Sequence, residues 1–381
     1  MIYMDNSAGT RVYPEVIETI TDVLQNHWGN ASADYSFGSD ARGIIDEVTE
    51  QVASDINCKS EEIIWTSGAC EANSLAITGV LGVNPHMHFY TTHLEHASIT
   101  EIVKNNPTGS PIFFIDNNKY GQVSTSDLYN KLEESYNSGT RMLVSISFAN
   151  SEIGVIQDIG IIANIVHEFG GILHVDATQM YPWERIDVQE LGIDLMSVSG
   201  QKMHAPKGIG FLFVRDGIKL KPTIYGSQQA GRRGGTYPTH LIAAFGKALE
   251  INREHNSTLE VEILRNALLD RLLQIDGVKL NGPSVGAKRL PNNVSLTIDG
   301  VKAETLITMC SMLSIYISKS SACQSYIPTP SKTLLAIGVS KKKALNTVRI
   351  TLDEFNTQRE VEDFIEILQK LIARIRDASS K

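Results

Sequence analysis

The sequence predicts an α/β fold, with a large domain on a mainly parallel seven-stranded sheet and a smaller α+β domain at the C-terminal end. Three observations carry that expectation. Seven short apolar runs of strand length stand in order: Ile63–Trp65, Phe89–Tyr90, Ile112–Phe114, Leu143–Phe148, Ile172–Val175, Leu195–Val198 and Gly210–Val214. The first five are each followed by a stretch of helical period, the alternation of a parallel sheet covered on both faces. Beyond about residue 250 the texture changes, and a long amphipathic stretch, Leu259–Leu273, leads into shorter strands near Val294–Ile298 and Val348–Leu352.

The elements follow in order. Pro14 opens a helix whose apolar residues Val16, Ile17, Ile20, Val23 and Leu24 fall on one face. A second helix runs through Ile44, Val48 and Val52. The Leu195 and Gly210 runs stand too close for a helical crossover, which makes that pair antiparallel. The glycine-rich stretch 226–236 has the composition of a functional loop rather than a linker. Arg374–Lys381 reads as a frayed helix end.

Composition narrows the class. With 42% hydrophobic and 20% charged residues, the 381-residue chain has the make-up of a soluble globular protein. A net charge of -9 argues against direct nucleic-acid binding or an anionic membrane surface. No apolar run reaches the roughly 18 residues of a spanning helix, and Met1–Thr10 has no secretory signature. Four cysteines are too few for a disulfide framework in a chain of this length, so the expectation is a reducing, cytoplasmic setting.

Five segments could carry chemistry. Lys202 follows a strand and a Ser-Gly turn, at the sheet edge where α/β sites form, and a partly desolvated lysine there is a better amine nucleophile. Taken alone, a surface-loop lysine is the plainer reading. Asp176 ends an apolar strand, where a carboxylate calls for a cationic partner such as a protonated pyridine; a helix N-cap is the plainer alternative. Thr66–Asn73 runs from strand through Ser-Gly into a helix start that can hold phosphate, although many helices begin this way. The spacing of His93 and His96 matches no usual zinc pattern, so no metal is expected, and a histidine stacked on a planar ring is the better reading. Cys323 lies in a polar, small-residue segment near Lys319, the setting of a reactive thiol, with an inert surface thiol as the alternative. Cys58 and Cys310 have structural surroundings, and Cys70 borders the phosphate turn.

In order along the chain, these segments resemble the class V aminotransferase-like pyridoxal-phosphate enzymes, and within them the NifS/IscS-type cysteine desulfurases. The resemblance begins at Tyr3-Met-Asp-Asn-Ser-Ala-Gly-Thr10 and Trp28-Gly-Asn-Ala-Ser32. It continues through Thr66–Asn73, Glu95-His96, Asn150-Ser-Glu-Ile-Gly154 and His174–Gln179. It ends with Ser199-Gly-Gln-Lys202, Arg233-Gly-Gly-Thr236, Ser321-Ala-Cys323 and Val348-Arg349. It implies the fold type I of these transferases, with residues 14–252 as the large cofactor-binding domain. Residues 1–13 and 253–381 would form the small domain with the cysteine loop and the substrate arginine.

The resemblance also implies roles. Lys202 would hold pyridoxal 5'-phosphate as a Schiff base, Asp176 would pair with the ring nitrogen, and Gln179 would bond the ring hydroxyl. His96 would stack on the ring and assist proton transfer. Ala69, Cys70, Ser199 and Gln201 would hold the phosphate, and Ser151 would also contact the cofactor. Thr236 would reach the cofactor of a second subunit, making a homodimer. Arg349 and Asn150 would bind the carboxylate end of L-cysteine. Cys323, the nucleophile, would take the sulfur as a persulfide for an acceptor protein, an iron–sulfur scaffold or a thiolation factor.

The sequence also departs from the family pattern. Ser151 replaces an asparagine, Gln201 a histidine, and Lys319-Ser320 a Ser-Gly pair, while Ala230 stands where a related loop often has arginine. These departures keep two other readings open: a related class V enzyme (a selenocysteine lyase, another β-lyase or a transaminase), or an inert relative that acts as a binding protein.

Overall fold

The computed structural model describes residues 1–286, 288–319 and 329–379. Its main sheet has seven strands in the order Ile63–Thr66, Gly210–Val214, Leu195–Ser199, Ile172–Asp176, Met142–Ser147, His88–Thr92 and Ile112–Ile115. Gly210–Val214 runs antiparallel to both its neighbours, as its short connection requires, and the other pairings are parallel. One face is covered by a core that includes Val16, Ile45, Trp65, Val144, Phe211 and Phe245. The other face packs on the helix Ala69–Val83 through Leu75, Ala76 and Val80.

A second core surrounds a four-stranded antiparallel sheet in the order Ser318–Lys319, Thr347–Thr351, Asn293–Ile298 and Val278–Leu280. Its helices are Thr258–Leu272, Ala303–Met312 and Gln358–Ser379. The N-terminal strand Ile2–Tyr3 pairs with Ile315–Tyr316, and Met4 is buried in this second core.

Two sequence expectations need correction, and a third is narrowed. The helix Pro14–Asn26 buries Val16 and Val23, but Ile17 and Leu24 remain 54% and 52% exposed. Their period is helical, but the contact stripe is narrower than the apolar one. The strand Ile172–Asp176 is followed by turns, with a left-handed Gly192, instead of a crossover helix. Residues 374–379 continue the terminal helix, because Arg376 donates to the carbonyls of Asp276 and Asp299 and pins the last turns.

The parallel strands all point the same way, so their carboxyl ends collect Glu95 and His96, Asn150, Asp176, and Ser199 to Lys202 at one edge. At that edge the Gly210 backbone lies against the Gly68 turn. A Cβ at Gly210 would press on the Val198 carbonyl and come 2.8 Å from Gly68 Cα. Gly210→Ala should therefore destabilise the protein by about 1–3 kcal/mol, read as a lower urea midpoint. It should also weaken anion binding at the neighbouring turn.

Candidate active site

The turn after strand Leu195–Ser199 delivers Lys202. Gly200 N donates to Ile209 O at 3.0 Å, and Met203 N to Gly200 O at 3.0 Å, which fixes the tight turn. The side chain then crosses to the N-terminal segment, where Nζ donates to Ala8 O at 2.8 Å. Burial, with the Arg349 charge adding to it, pushes this amine down to about 8. A lysine held this way has a substantial neutral fraction near neutral pH and is competent to attack an aldehyde.

Asp176 ends the adjacent strand and is 6% exposed. Its Oδ1 accepts from Thr178 N at 3.1 Å, and Oδ2 accepts from Asn73 Nδ2 at 2.7 Å. Asn73 is fully buried and also donates to Ser98 Oγ at 2.9 Å, so it sets the aim of the carboxylate. Asn73 closes the Thr66–Asn73 motif one helical turn beyond the phosphate residues, a position that carries no local sign of facing the sheet edge. Below Asp176, His174 bonds Ser145 Oγ at 2.8 Å and Ser197 Oγ at 2.9 Å, and burial pushes it down to about 4. It therefore stays neutral and leaves the carboxylate free for a cation elsewhere.

The turn at Gly68 (φ 140°) opens the helix Ala69–Val83, whose first N–H groups have no intrahelical acceptor. A Cβ on Gly68 would sit 3.4 Å from Ser199 Oγ, so Ala69, Cys70 and Ser199 border one small cradle. Burial and Asp176 push the Cys70 thiol up, which disfavours a thiolate beside an anion site. Glu71 turns away to Arg233, with N–O distances of 2.7 and 3.2 Å. Burial raises its carboxyl, but the Arg233 and Ser67 hydrogen bonds outweigh burial and hold it below the usual range. Thr236 lines a cavity of about 230 Å³ with Thr66, Ser67 and Arg233.

The other end of the site carries Arg349, 5% exposed, whose NH2 lies 2.8 Å from Asp5 Oδ1. Its buried Nε has no hydrogen-bond partner among the described residues. The Asn150 side chain is largely used in its own turn: Oδ1 accepts from Glu152 N at 2.8 Å and Ile153 N at 3.0 Å, and Nδ2 donates to Leu94 O at 2.8 Å. That leaves a single N–H for any ligand. Gln179 Nε2 reaches Ser7 O at 3.3 Å in a cleft shared with Lys202. Gln201 meets Thr10 through its carbonyl at 3.1 Å, and the Ser151 carbonyl accepts from Asn293 Nδ2 at 3.1 Å. His96 caps the helix Ala97–Asn105 with Nδ1 accepting from Ser98 N at 3.1 Å, and its ring stays exposed above the strand ends. Cys323 lies outside the described residues.

These groups fit pyridoxal phosphate. Among the described residues there is a desolvated amine, a buried carboxylate hydrogen-bonded by one amide and one backbone N–H, and a helix start whose first N–H groups have no intrahelical acceptor. The residue before His96, Glu95, is buried and accepts from Ser147 N at 2.9 Å and Thr92 Oγ1 at 2.6 Å. Burial nevertheless pushes its carboxyl up to about 7. Because the folded value is raised, this group stabilises the fold at low pH, and that contribution is lost as pH rises through about 7. Urea unfolding of wild type against Glu95→Gln should thus show wild type losing ground between pH 5 and 8. Asn73→Ala should cost about tenfold in pyridoxal-phosphate affinity of the apoprotein, read by absorbance titration.

Known proteins are similar to this chain over nearly its whole length. The family model described as Aminotransferase class-V matches residues 2–364. The chain is 35% identical over 387 aligned positions to the cysteine desulfurase IscS of Clostridium botulinum strain Hall, covering 99% of this chain and 96% of that protein. Among solved structures it is similar to a NifS-like protein with a TM-score of 0.90 and 28% identity, covering 98% of this chain and 99% of that one. It is also similar to SspA in complex with cysteine, at TM-score 0.80 and 30% identity over 94% of this chain and 100% of that one. The fold is that of the fold type I pyridoxal-phosphate proteins. With the match spanning nearly the whole chain and the site residues gathered at one sheet edge, this protein belongs to the class-V aminotransferase family.

Proposed function

We propose that the protein is a pyridoxal-phosphate-dependent cysteine desulfurase, converting L-cysteine to L-alanine and passing the sulfur through Cys323 to an acceptor protein. The observation that carries this is the pairing of a half-buried, low-pKa Lys202 amine with a buried guanidinium, Arg349, whose Nε–H lacks a partner among the described residues. An amine beside a carboxylate receptor is what an α-amino acid needs for chemistry at its Cα. The curated relatives at about this identity support cysteine as that amino acid.

The bound cofactor supplies an electron sink for charge that develops at the substrate's Cα. Lys202 holds it, Asp176 keeps its ring nitrogen protonated, and Ala69, Cys70, Ser199 and Gln201 hold its phosphate. Gln179 and Ser151 contact it at the sides. Arg349 takes the substrate carboxylate, for which that anion competes with Asp5. Asn150 offers its spare N–H to the same end. Freed as a neutral amine, Lys202 Nζ accepts the proton from Cα, and His96 above the strand ends assists proton movement. The Cys323 thiolate attacks the substrate sulfur, so an S–S bond forms as the Cβ–S bond breaks and its electron pair stays with carbon. A thiol proton ends on Cβ and Lys202 returns the Cα proton. L-Cysteine and one thiol thus become L-alanine and one persulfide, with no outside oxidant.

The proposal extends to a homodimer in which Thr236 serves the partner's site, supported by the cavity it shares with Thr66 and Ser67. It places the protein in the cytoplasm, with an iron–sulfur scaffold or thiolation factor as sulfur acceptor. Residues 14–252 would act as the cofactor domain and residues 1–13 with 253–381 as the smaller one, a division supported by Met4 in the second core.

The test is a single incubation of the holoenzyme with L-cysteine. Equimolar alanine and a persulfide on Cys323 by mass spectrometry are expected, and Cys323→Ala should abolish sulfur release. Alanine and sulfide that persist in Cys323→Ala would overturn the thiolate mechanism. Lys202→Ala should lose turnover and no longer be fixed to the cofactor by borohydride.

A further inference from the structure

The Asn150–Gly154 turn contains a carboxylate to which neither the resemblance nor the mechanism gives a task. Glu152 leaves the turn and crosses to the chain beyond the cysteine segment. There Ser331 Oγ donates to Glu152 Oε2, and Thr333 Oγ1 donates to Oε1 at 3.3 Å. Ser331 is also the N-cap of the helix Lys332–Ala336, accepting from Leu334 N at 3.2 Å. One hydroxyl therefore joins a helix start to the carboxylate. The turn is itself fixed, since the backbones of Glu152 and Ile153 hang from Asn150 Oδ1. Ile153, Leu94 and Leu334 share one small apolar cluster, which backs the polar contact with packing.

The opposite root of the cysteine segment is tethered to the same end of the site. Ser318 and Lys319 pair with Arg349 and Val348 in the small sheet, so this root is built onto the arginine's own strand. The Arg349 charge also bears on Glu152. One root is thus joined to Arg349 by strand pairing and the other to the Asn150 turn by a carboxylate. Both lie beside the groups assigned to the carboxylate end of the substrate.

We propose that Glu152 is a positioning residue that latches the chain following the cysteine segment to the substrate end of the site, and so sets the rate of sulfur transfer to Cys323. This rests on the desulfurase reading. Glu152 touches no reacting atom; it acts through Ser331 and Thr333. Tying residues 331 and 333 to the Asn150 turn raises the effective concentration of the nucleophile at the substrate sulfur, and loss of that tie lowers it while Arg349 keeps its ion pair with Asp5.

The experiment compares holoenzymes of wild type, Glu152→Ala and the double variant Ser331→Ala with Thr333→Val. In single turnovers with L-cysteine, substrate binding is read from the cofactor absorbance and persulfide on Cys323 by quenched mass spectrometry. The expected result is persulfide formation slowed about tenfold in both variants, with apparent L-cysteine affinity within threefold of wild type. Persulfide rates within twofold of wild type, or a loss matched by weaker L-cysteine binding, overturn the latch. If Glu152→Ala does not fold, the double variant, which keeps the carboxylate, decides alone. A wild type that makes alanine without a Cys323 persulfide overturns the functional reading, and the latch with it.

Discussion

A short run of main-chain contacts between the N-terminal segment and the Lys202 turn holds the site together. Thr10 N and Oγ1 both donate to Gln201 O at 3.1 Å, His204 N donates to Thr10 Oγ1 at 2.9 Å, and Lys202 Nζ reaches Ala8 O at 2.8 Å. Three residues earlier, Asp5 pairs with Arg349, and Asn6 and Ser7 bond to Thr351. One strap about six residues long is therefore the physical link between the lysine on the large sheet and the arginine on the small one. Neither side chain could be placed against the other by its own sheet.

The charges at this edge are balanced rather than neutralised pair by pair. Lys202 loses part of its preference for the charged form because burial and Arg349 both oppose it. Arg349 is partly matched by Asp5 yet keeps one buried N–H without a partner among the described residues. Asp176 takes its hydrogen bonds from an amide and a backbone N–H, both neutral, and among the described residues it has no direct ion pair. An uncompensated buried charge is costly. A ring cation at Asp176 and a carboxylate at Arg349 would relieve both costs, which is the electrostatic support for the proposed site. Burial also raises the carboxyls of Glu95 and Glu152 to about 7, and both stand in short turns that leave the strand ends. Such groups are tolerated where their hydroxyl donors hold loops in place.

Much of the fold was legible because strand-length apolar runs and helical periods are local signals. The antiparallel Gly210–Val214 strand followed from connection length alone. The failures share a cause. Ile17 and Leu24 have the right period, but which residues of a stripe make contact depends on the partner surface. The turns after Asp176 and the extended terminal helix depend on contacts with distant carbonyls, such as those Arg376 makes. In the site, the segment around Lys202 and Asp176 was recognisable as a motif. Asn73 and Glu152 lie inside recognisable motifs, yet their partners, Asp176 and Ser331, are 103 and 179 residues away.

By itself, then, the sequence determined the element types, the parallel sheet and the chemical groups at its carboxyl edge, since each depends on residues near one another in the chain. The tertiary structure decided what those groups feel: the desolvation of Lys202, the aim of Asp176 through Asn73, the use of Asn150 as a turn brace, and the bond from Glu152 to the chain beyond the cysteine. Burial and long-range hydrogen bonds are properties of assembled surfaces. No local pattern encodes how deep a side chain will lie or which distant carbonyl it will meet.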